Sequence, residues 1–249
     1  MLDPLSIAII ILTFLVAGTV KGIVGMGLPL ISIALLTVAF GLPQAMALLL
    51  VPAFVTNIWQ ALAGRDGLRL LRRLWPFFAA ATIAVWPGTL VLIQVDAWKL
   101  SMLLGGLLFA YALVKLLGAS ITITPKGESW LAPAFGVASG LFTGMTGVLS
   151  VPGVFFLEAI GLPKEQLVQS MGILFVTVTT MLALSLGAGG LLSADLGIGS
   201  LIALVPGLIG MAIGQRIRAR LPEVLFRRIF FIALAILGAY IVGSSLLGA

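Results

Sequence analysis

Long apolar stretches alternate with short polar ones along the whole chain. The stretches cover residues 5–20, 27–40, 45–63, 74–94, 98–118, 131–143, 150–160, 165–187, 196–214 and 225–247. Several approach the roughly 20 residues that a helix needs to cross a bilayer. None alternates with the period of two that is typical of a membrane strand. The pattern therefore predicts an all-α integral membrane protein.

The first two stretches are predicted to be a pair of short helices. One continuous helix over residues 5–40 would rise about 54 Å, whereas the hydrocarbon core is about 30 Å thick. The chain must therefore turn, and we place the turn at Gly18, Gly22, Gly25 and Gly27. The short helices could form a re-entrant hairpin that meets near mid-membrane, or two separate short spans.

The two halves of the chain resemble each other. Residues 18–25 read Gly-x-x-Lys-Gly-x-x-Gly, and residues 140–147 read Gly-x-x-Thr-Gly-x-x-Gly. Gly-Leu-Pro occurs at residues 41–43 and again at 161–163. The collinear order of these matches favours a duplication. The alternative is that membrane helices of similar composition align by chance.

The duplication divides the chain into a first membrane repeat at residues 1–118, a cytoplasmic linker at 119–130 and a second membrane repeat at 131–249. Each repeat is predicted to hold a glycine-broken pair of short helices followed by three longer transmembrane helices.

Charge placement predicts the orientation of the repeats. Arginines cluster at residues 65–73 and at 216–228, and the positive-inside rule puts both clusters in the cytoplasm. Segments 45–63 and 165–187 then cross the membrane in opposite directions. The repeats are therefore predicted to be inverted, with both termini outside. Inverted repeats with broken helices are a transporter architecture whose site lies near mid-membrane between the repeats.

Lys21 lies inside an apolar run, where a lysine costs roughly 3 kcal/mol. Such a charge usually faces a cavity, a partner or a ligand. A helix starting near Gly25 or Gly27 would also point free N–H groups and a positive dipole end into the turn. Together these features predict an anion-binding site. The structural alternative is that Lys21 pairs with a helix C-terminus or a carboxylate.

Other polar and small residues in the apolar stretches complete the predicted site. The candidate substrate ligands are Lys21, Gly22, Gly25, Gly27, Asn57, Thr143, Thr146, Gly147, Ser150 and Gln169. Each type has a structural alternative. Glycines can instead pack helices closely, amides can bridge helices, and threonines can bond their own helix backbone.

Glu158 is the only carboxylate in the interior of an apolar stretch, away from its ends. It is the candidate for carrying a proton in coupled transport. It also lies close to the second Gly-Leu-Pro corner, so the alternative is that it reaches the interface as a snorkelling side chain.

Composition excludes several other functions. The chain is 61% hydrophobic and 9% charged, and it has no cysteine and no histidine. No metal site, no cofactor and no disulfide are predicted. The net charge of +6 is interpreted as a topology signal, so no nucleic-acid partner is expected. The chain also lacks a Gly-x-x-x-x-Gly-Lys-Ser/Thr phosphate loop, and its acidic start predicts that the first helix is retained.

The motifs resemble the sulfite exporter TauE/SafE family over the whole chain. The resemblance lies in Ala-Gly-Thr-Val-Lys-Gly-Ile-Val-Gly-Met-Gly at residues 17–27 and Ala-Ser-Gly-Leu-Phe-Thr-Gly-Met-Thr-Gly at 138–147. It implies movement of sulfite, thiosulfate or organosulfonates, mostly across the bacterial inner membrane. This chain has Gly-Leu-Pro at residues 27–29, where many members carry a longer glycine run.

We therefore expect a secondary transporter of a small anion, with sulfite or an organosulfonate favoured and proton coupling as a hypothesis. The expected partners are that anion and membrane lipid, and a homo-oligomer is left open. An anion channel with the same site is the first alternative. A non-transporting membrane subunit is another. An intramembrane enzyme is disfavoured because too few catalytic groups are present, so no enzymatic activity is expected.

Overall fold

The described residues form ten α-helices and no strand. A computed structural model describes residues 3–25, 27–118, 122–149, 151–218 and 223–247. The helices are α1 (Pro4–Val24), α2 (Leu28–Phe40), α3 (Leu42–Leu62), α4 (Gly67–Gln94), α5 (Ala97–Leu116), α6 (Pro125–Thr146), α7 (Gly153–Ala159), α8 (Lys164–Ala188), α9 (Ala194–Arg218) and α10 (Glu223–Leu247). The all-α prediction is confirmed.

Seven of these helices are long and apolar enough to cross a membrane: α1, α3, α4, α5, α8, α9 and α10. The three longer helices predicted for each half, α3 to α5 and α8 to α10, are all among them. Their outward faces carry large apolar side chains, such as Leu12, Ile83 and Ile236, which suits contact with lipid.

The glycine-broken pairs differ from the prediction in where they break. The turn predicted at Gly18, Gly22, Gly25 and Gly27 is wrong for the first two glycines, because α1 continues through Gly18 and Gly22 to Val24. The turn begins only at Gly25. A glycine inside a helix costs about 1 kcal/mol relative to alanine, and close packing against another helix offsets that cost here. Only the second member of each pair, α2 or α7, is short.

The second half shows a similar shift of boundaries. Helix α6 begins at Pro125, so residues 125–130 of the predicted linker form its start. Thr124 caps this helix, because its hydroxyl oxygen accepts the N–H of Gly127 at 3.4 Å. Helix α7 has 7 residues, fewer than the predicted segment at 150–160.

The chain divides into two compact units, each drawing on both halves of the sequence. Unit 1 comprises Met1–Pro52, Val95–Ala119 and Gly190–Ala249, and unit 2 comprises Ala53–Gln94 and Ser120–Gly189. The division falls within α3. Compactness does not test a duplication, so the two sequence repeats and their linker stay predictions.

In unit 1, α1 packs on α9 and α5 packs on α10, while α2 contacts α1, α5 and α10. Pro52 interrupts the backbone hydrogen bonds of α3, and a side chain of α9 takes the place of the missing donor. Pro52 has no N–H to offer the carbonyl of Leu48, so that acceptor loses its helical donor. The Ser200 hydroxyl donates to the Leu48 carbonyl at 2.9 Å and accepts the N–H of Val51 at 3.0 Å.

In unit 2, α4 packs against both α6 and α8. An ion pair ties the start of α6 to α4. The guanidinium of Arg73 donates from Nε to Glu128 Oε1 at 2.8 Å and from Nη2 to Oε2 at 2.7 Å. This two-pronged geometry is the stronger form of an arginine–carboxylate bond.

Candidate functional site

Helix α1 crosses α9 at a contact made by glycines. Gly18 faces the backbone oxygen of Gly207, Gly22 faces that of Met211, and Gly214 faces that of Thr19. A Cβ at any of the three glycines would lie closer to backbone than real Cβ atoms come. The two helix backbones therefore touch, as small-xxx-small motifs allow in membrane proteins.

Unit 2 holds a second crossing with the same arrangement. Gly140 of α6 faces the backbone oxygen of Ala81, and Gly144 faces that of Val85. Gly88 of α4 faces the backbone oxygen of Leu141 in return. The matching glycines of the two halves thus make matching contacts, α1 with α9 and α6 with α4. For these glycines the structure shows the packing role that was the alternative to ligand binding.

The first break lies between α1 and α2. Gly25 has φ 84° and donates its N–H to the carbonyl of Lys21 at 2.8 Å, which closes the last turn of α1. Gly27 has φ 113° and precedes α2 without a side-chain bond to its first N–H groups. Both backbones lie in the left-handed region, which glycine adopts without strain. The predicted start of a helix beside Gly27 is confirmed.

Lys21 lies in the last turn of α1, directly before this break. Its side chain is 5% exposed, so its predicted burial is confirmed. A cation in the last turn of a helix is favoured by the helix dipole. The position therefore suits both the structural alternative and a role as counter-charge for an anion.

The second break lies between α6 and α7, and threonine hydroxyls close it. Gly147, with φ 71°, donates its N–H to the Thr143 carbonyl at 2.8 Å. The Thr143 hydroxyl donates to the Val148 carbonyl at 3.2 Å. The Thr146 hydroxyl donates to the Phe142 carbonyl at 2.7 Å and accepts the Val148 N–H at 3.3 Å. These bonds stabilise the turn.

The two breaks differ in charge. Thr143 stands where the matching motif of the first half has Lys21, so the described part of the second break holds hydroxyls and no cation. Ser150, the remaining predicted ligand of this break, lies outside the described residues.

Gln169 joins α8 to the end of α3 and the following turn. Its amide nitrogen donates to the Ala61 carbonyl at 2.9 Å, and its amide oxygen accepts the Asp66 N–H at 3.1 Å. Gln166 donates from its amide to the Asp66 carboxylate at 3.0 Å. The structure thus shows the bridging role that was the alternative for Gln169, and its role as a ligand stays a prediction.

Asn57 and Glu158 also lie in unit 2. Asn57 is fully buried, and Glu158 is half-buried on α7, one turn before the left-handed Gly161. No described geometry assigns either a ligand or a proton-carrying role, so both stay predictions. Within the described ranges, no three His, Cys, Asp or Glu side chains lie together as a metal site would need.

The bridging contacts of Gln169 predict a loss of stability when they are removed. We expect Gln169→Ala to lower the free energy of unfolding by about 1–3 kcal/mol, because the partly buried Asp66 N–H and Ala61 carbonyl lose their partner. Thermal unfolding of the purified protein measures this, with the exposed Gln94→Ala as the control. An unchanged melting temperature together with weaker anion binding would instead assign Gln169 to the substrate.

Comparison with protein families gives a match over most of the chain. The family model described as "Sulfite exporter TauE/SafE" matches residues 10–241, nearly the whole chain. Neither the curated proteins nor the solved structures contain a significant match.

Proposed function

The chain belongs to the sulfite exporter TauE/SafE family, and we propose that it is a secondary transporter of a small anion, with sulfite or an organosulfonate as its substrate. The family and the seven apolar helices make it a multi-pass membrane protein of a transporter family. The observation that carries the proposal is the buried cation Lys21 beside the first helix break.

Two sources of positive potential lie at this break. Lys21 supplies a full charge in the last turn of α1, and α2 begins just after Gly27 with no side-chain cap on its first N–H groups. Pro29 removes one of those N–H groups, which leaves the amides of Leu28 and Leu30 as donors. The oxygens of a sulfite or sulfonate accept such charge-assisted hydrogen bonds.

The glycine crossings support a duplicated transporter. In our proposal each crossing holds a broken helix in place, so that α1 presents Lys21 at a fixed depth. The opposite orientation of the two repeats, the outside position of both termini and location in the inner membrane belong to the same proposal and rest on the arginine clusters. Asn57, Thr143, Thr146 and Gln169 remain candidate hydrogen-bonding residues of unit 2.

We expect reconstituted protein to accumulate sulfite in liposomes, with a rate that saturates as its concentration rises. A secondary transporter must bind and release its substrate in each cycle, so its rate is bounded by that cycle. Radiolabelled sulfite uptake into protein-containing and empty vesicles measures this, with and without an imposed pH gradient.

The same assay separates the alternatives. Uptake that rises linearly with concentration and never exceeds equilibrium would indicate an anion channel. Equal accumulation with and without the pH gradient would remove proton coupling and, with it, the role proposed for Glu158. No uptake of any sulfur anion would contradict the proposed substrate class.

A further inference from the structure

A basic groove lies in unit 1, where α5 ends and α10 begins. It encloses about 650 Å³ and is lined by Lys115, Leu116, Arg227, Arg228, Phe231 and Ile232. None of these residues belongs to the helix breaks that carry the proposed transport site. The groove therefore needs a separate explanation.

The charge of the groove points to an anionic occupant. Three of the lining residues are cations, and the described lining includes no carboxylate. Glu223 precedes Arg227 by one helical turn, and its side chain lies outside the described set.

The cations of the groove differ in their exposure, and one of them lies over an aromatic ring. The ammonium of Lys115 lies over the ring of Tyr111, 5.7 Å from its centroid, and Tyr111 is fully buried. Arg228 is exposed, while Lys115 and Arg227 are half-buried. Cations held near an apolar surface interact with an anion more strongly than freely hydrated ones do.

The surroundings of the cations favour a lipid over a free phosphate. Leu116 and Ile232 line the same groove and are exposed. Exposed apolar residues continue from them at helical spacing along one face of each helix. On α5 and α10 these are Phe109, Leu113, Ile229 and Ile236. A phosphate ion needs no such surface, whereas an acyl chain does.

We propose that this groove binds the headgroup of an anionic phospholipid, with the phosphate on Lys115, Arg227 and Arg228 and an acyl chain along the apolar faces of α5 and α10. Basic pockets at the ends of transmembrane helices bind anionic headgroups in this manner. The lipid would join the end of α5 to the start of α10. The proposal does not depend on the nature of the transported anion.

Native mass spectrometry of the purified chain tests the proposal. The protein is released from micelles that contain equal amounts of phosphatidylglycerol and phosphatidylcholine. We expect the protein to retain phosphatidylglycerol selectively. Each cation near a membrane surface changes affinity by about fivefold, so Lys115→Gln/Arg227→Gln/Arg228→Gln should weaken retention by about a hundredfold. The control Arg65→Gln/Arg69→Gln/Arg72→Gln removes the same charge from exposed positions of unit 2, outside the groove, so its loss of retention should be clearly smaller than that of the groove variant.

The outcomes test the groove as a binding site and distinguish a lipid headgroup from a free phosphate ion. The proposal would be overturned if the groove variant retained as much phosphatidylglycerol as the wild type. It would also be overturned if the control variant lost as much as the groove variant. Full displacement of the lipid by millimolar inorganic phosphate would assign the groove to a free ion instead. Should the triple variant fail to fold, the single exposed Arg228→Gln should still lower retention by about fivefold, and no change in that variant would overturn the proposal.

Discussion

Replacing Lys21 with methionine should abolish anion transport and leave the protein folded. Methionine is unbranched and only one atom shorter than lysine but carries no charge, so it removes both the counter-charge for the anion and the cost of burying a cation. Losing one member of a buried charge pair costs about 3 kcal/mol or more, which is roughly a hundredfold in affinity. In the absence of ligand, the variant should be at least as stable as the wild type.

Ligand-dependent thermal stabilisation measures both effects. A ligand that binds only the folded state adds about 2.7 kcal/mol at a concentration one hundred times its Kd. The panel would hold sulfite, thiosulfate, sulfate, sulfoacetate, taurine, acetate and oxalate. The wild type should respond selectively to one class, and Lys21→Met to none. Lys99→Met is the matched control, because Lys99 is exposed and its ammonium lies 2.8 Å from the Asp96 carboxylate.

Two results would contradict the role of Lys21. A variant that unfolds without any anion present would show that Lys21 stabilises the end of α1 as a structural cation. A variant that keeps the selective response would place the anion site elsewhere in the chain. Unfolding is read before ligand is added, so the two results are distinguishable.

Gly22→Ala and Gly144→Ala should each prevent stable folding. In both variants the new methyl group would meet backbone, the carbonyl oxygen of Met211 or of Val85. Backbone cannot change rotamer, so each crossing would have to open along its length. The cost should exceed the roughly 1–3 kcal/mol of ordinary overpacking. Because the two crossings match, the two variants should be similarly affected.

The monodisperse fraction in size-exclusion chromatography and the melting temperature measure this loss. Gly106→Ala and Gly197→Ala are matched controls, since a Cβ at either position meets nothing within 4 Å. Both controls lie inside helices and should be neutral or stabilised by up to about 1 kcal/mol. A Gly22→Ala protein that folds normally and only loses its response to anions would show that Gly22 serves the ligand and not the crossing.

Local patterns predicted the helices well and their internal breaks less well. Hydropathy identified the transmembrane segments, because the thickness of the bilayer sets the length that a local apolar run must have. The turn beside Gly27 was also predictable, since few other residues adopt its backbone conformation. The helical state of Gly18 and Gly22 was not predictable, because the contact that makes it favourable comes from α9, far along the chain.

The polar residues show the same division between local and distant information. The burial of Lys21 follows from its apolar neighbours in sequence. The roles of Gln169 and Ser200 do not, because their partners are backbone groups on other helices. The need for Ser200 arises at Pro52, which deprives Leu48 of a donor, and no sequence pattern connects these positions.

The amino-acid sequence by itself therefore determined that the protein is a helical membrane protein, that its family is recognisable, and that a cation is buried beside a helix break. Each of these depends on neighbours in the chain and on the thickness of the membrane. Only the tertiary structure decided which glycines stay helical and pack against another helix, and which amides bridge two helices. Those outcomes depend on backbone atoms that folding brings close together. Backbone groups are nearly the same at every residue, so the sequence does not indicate which of them will become partners.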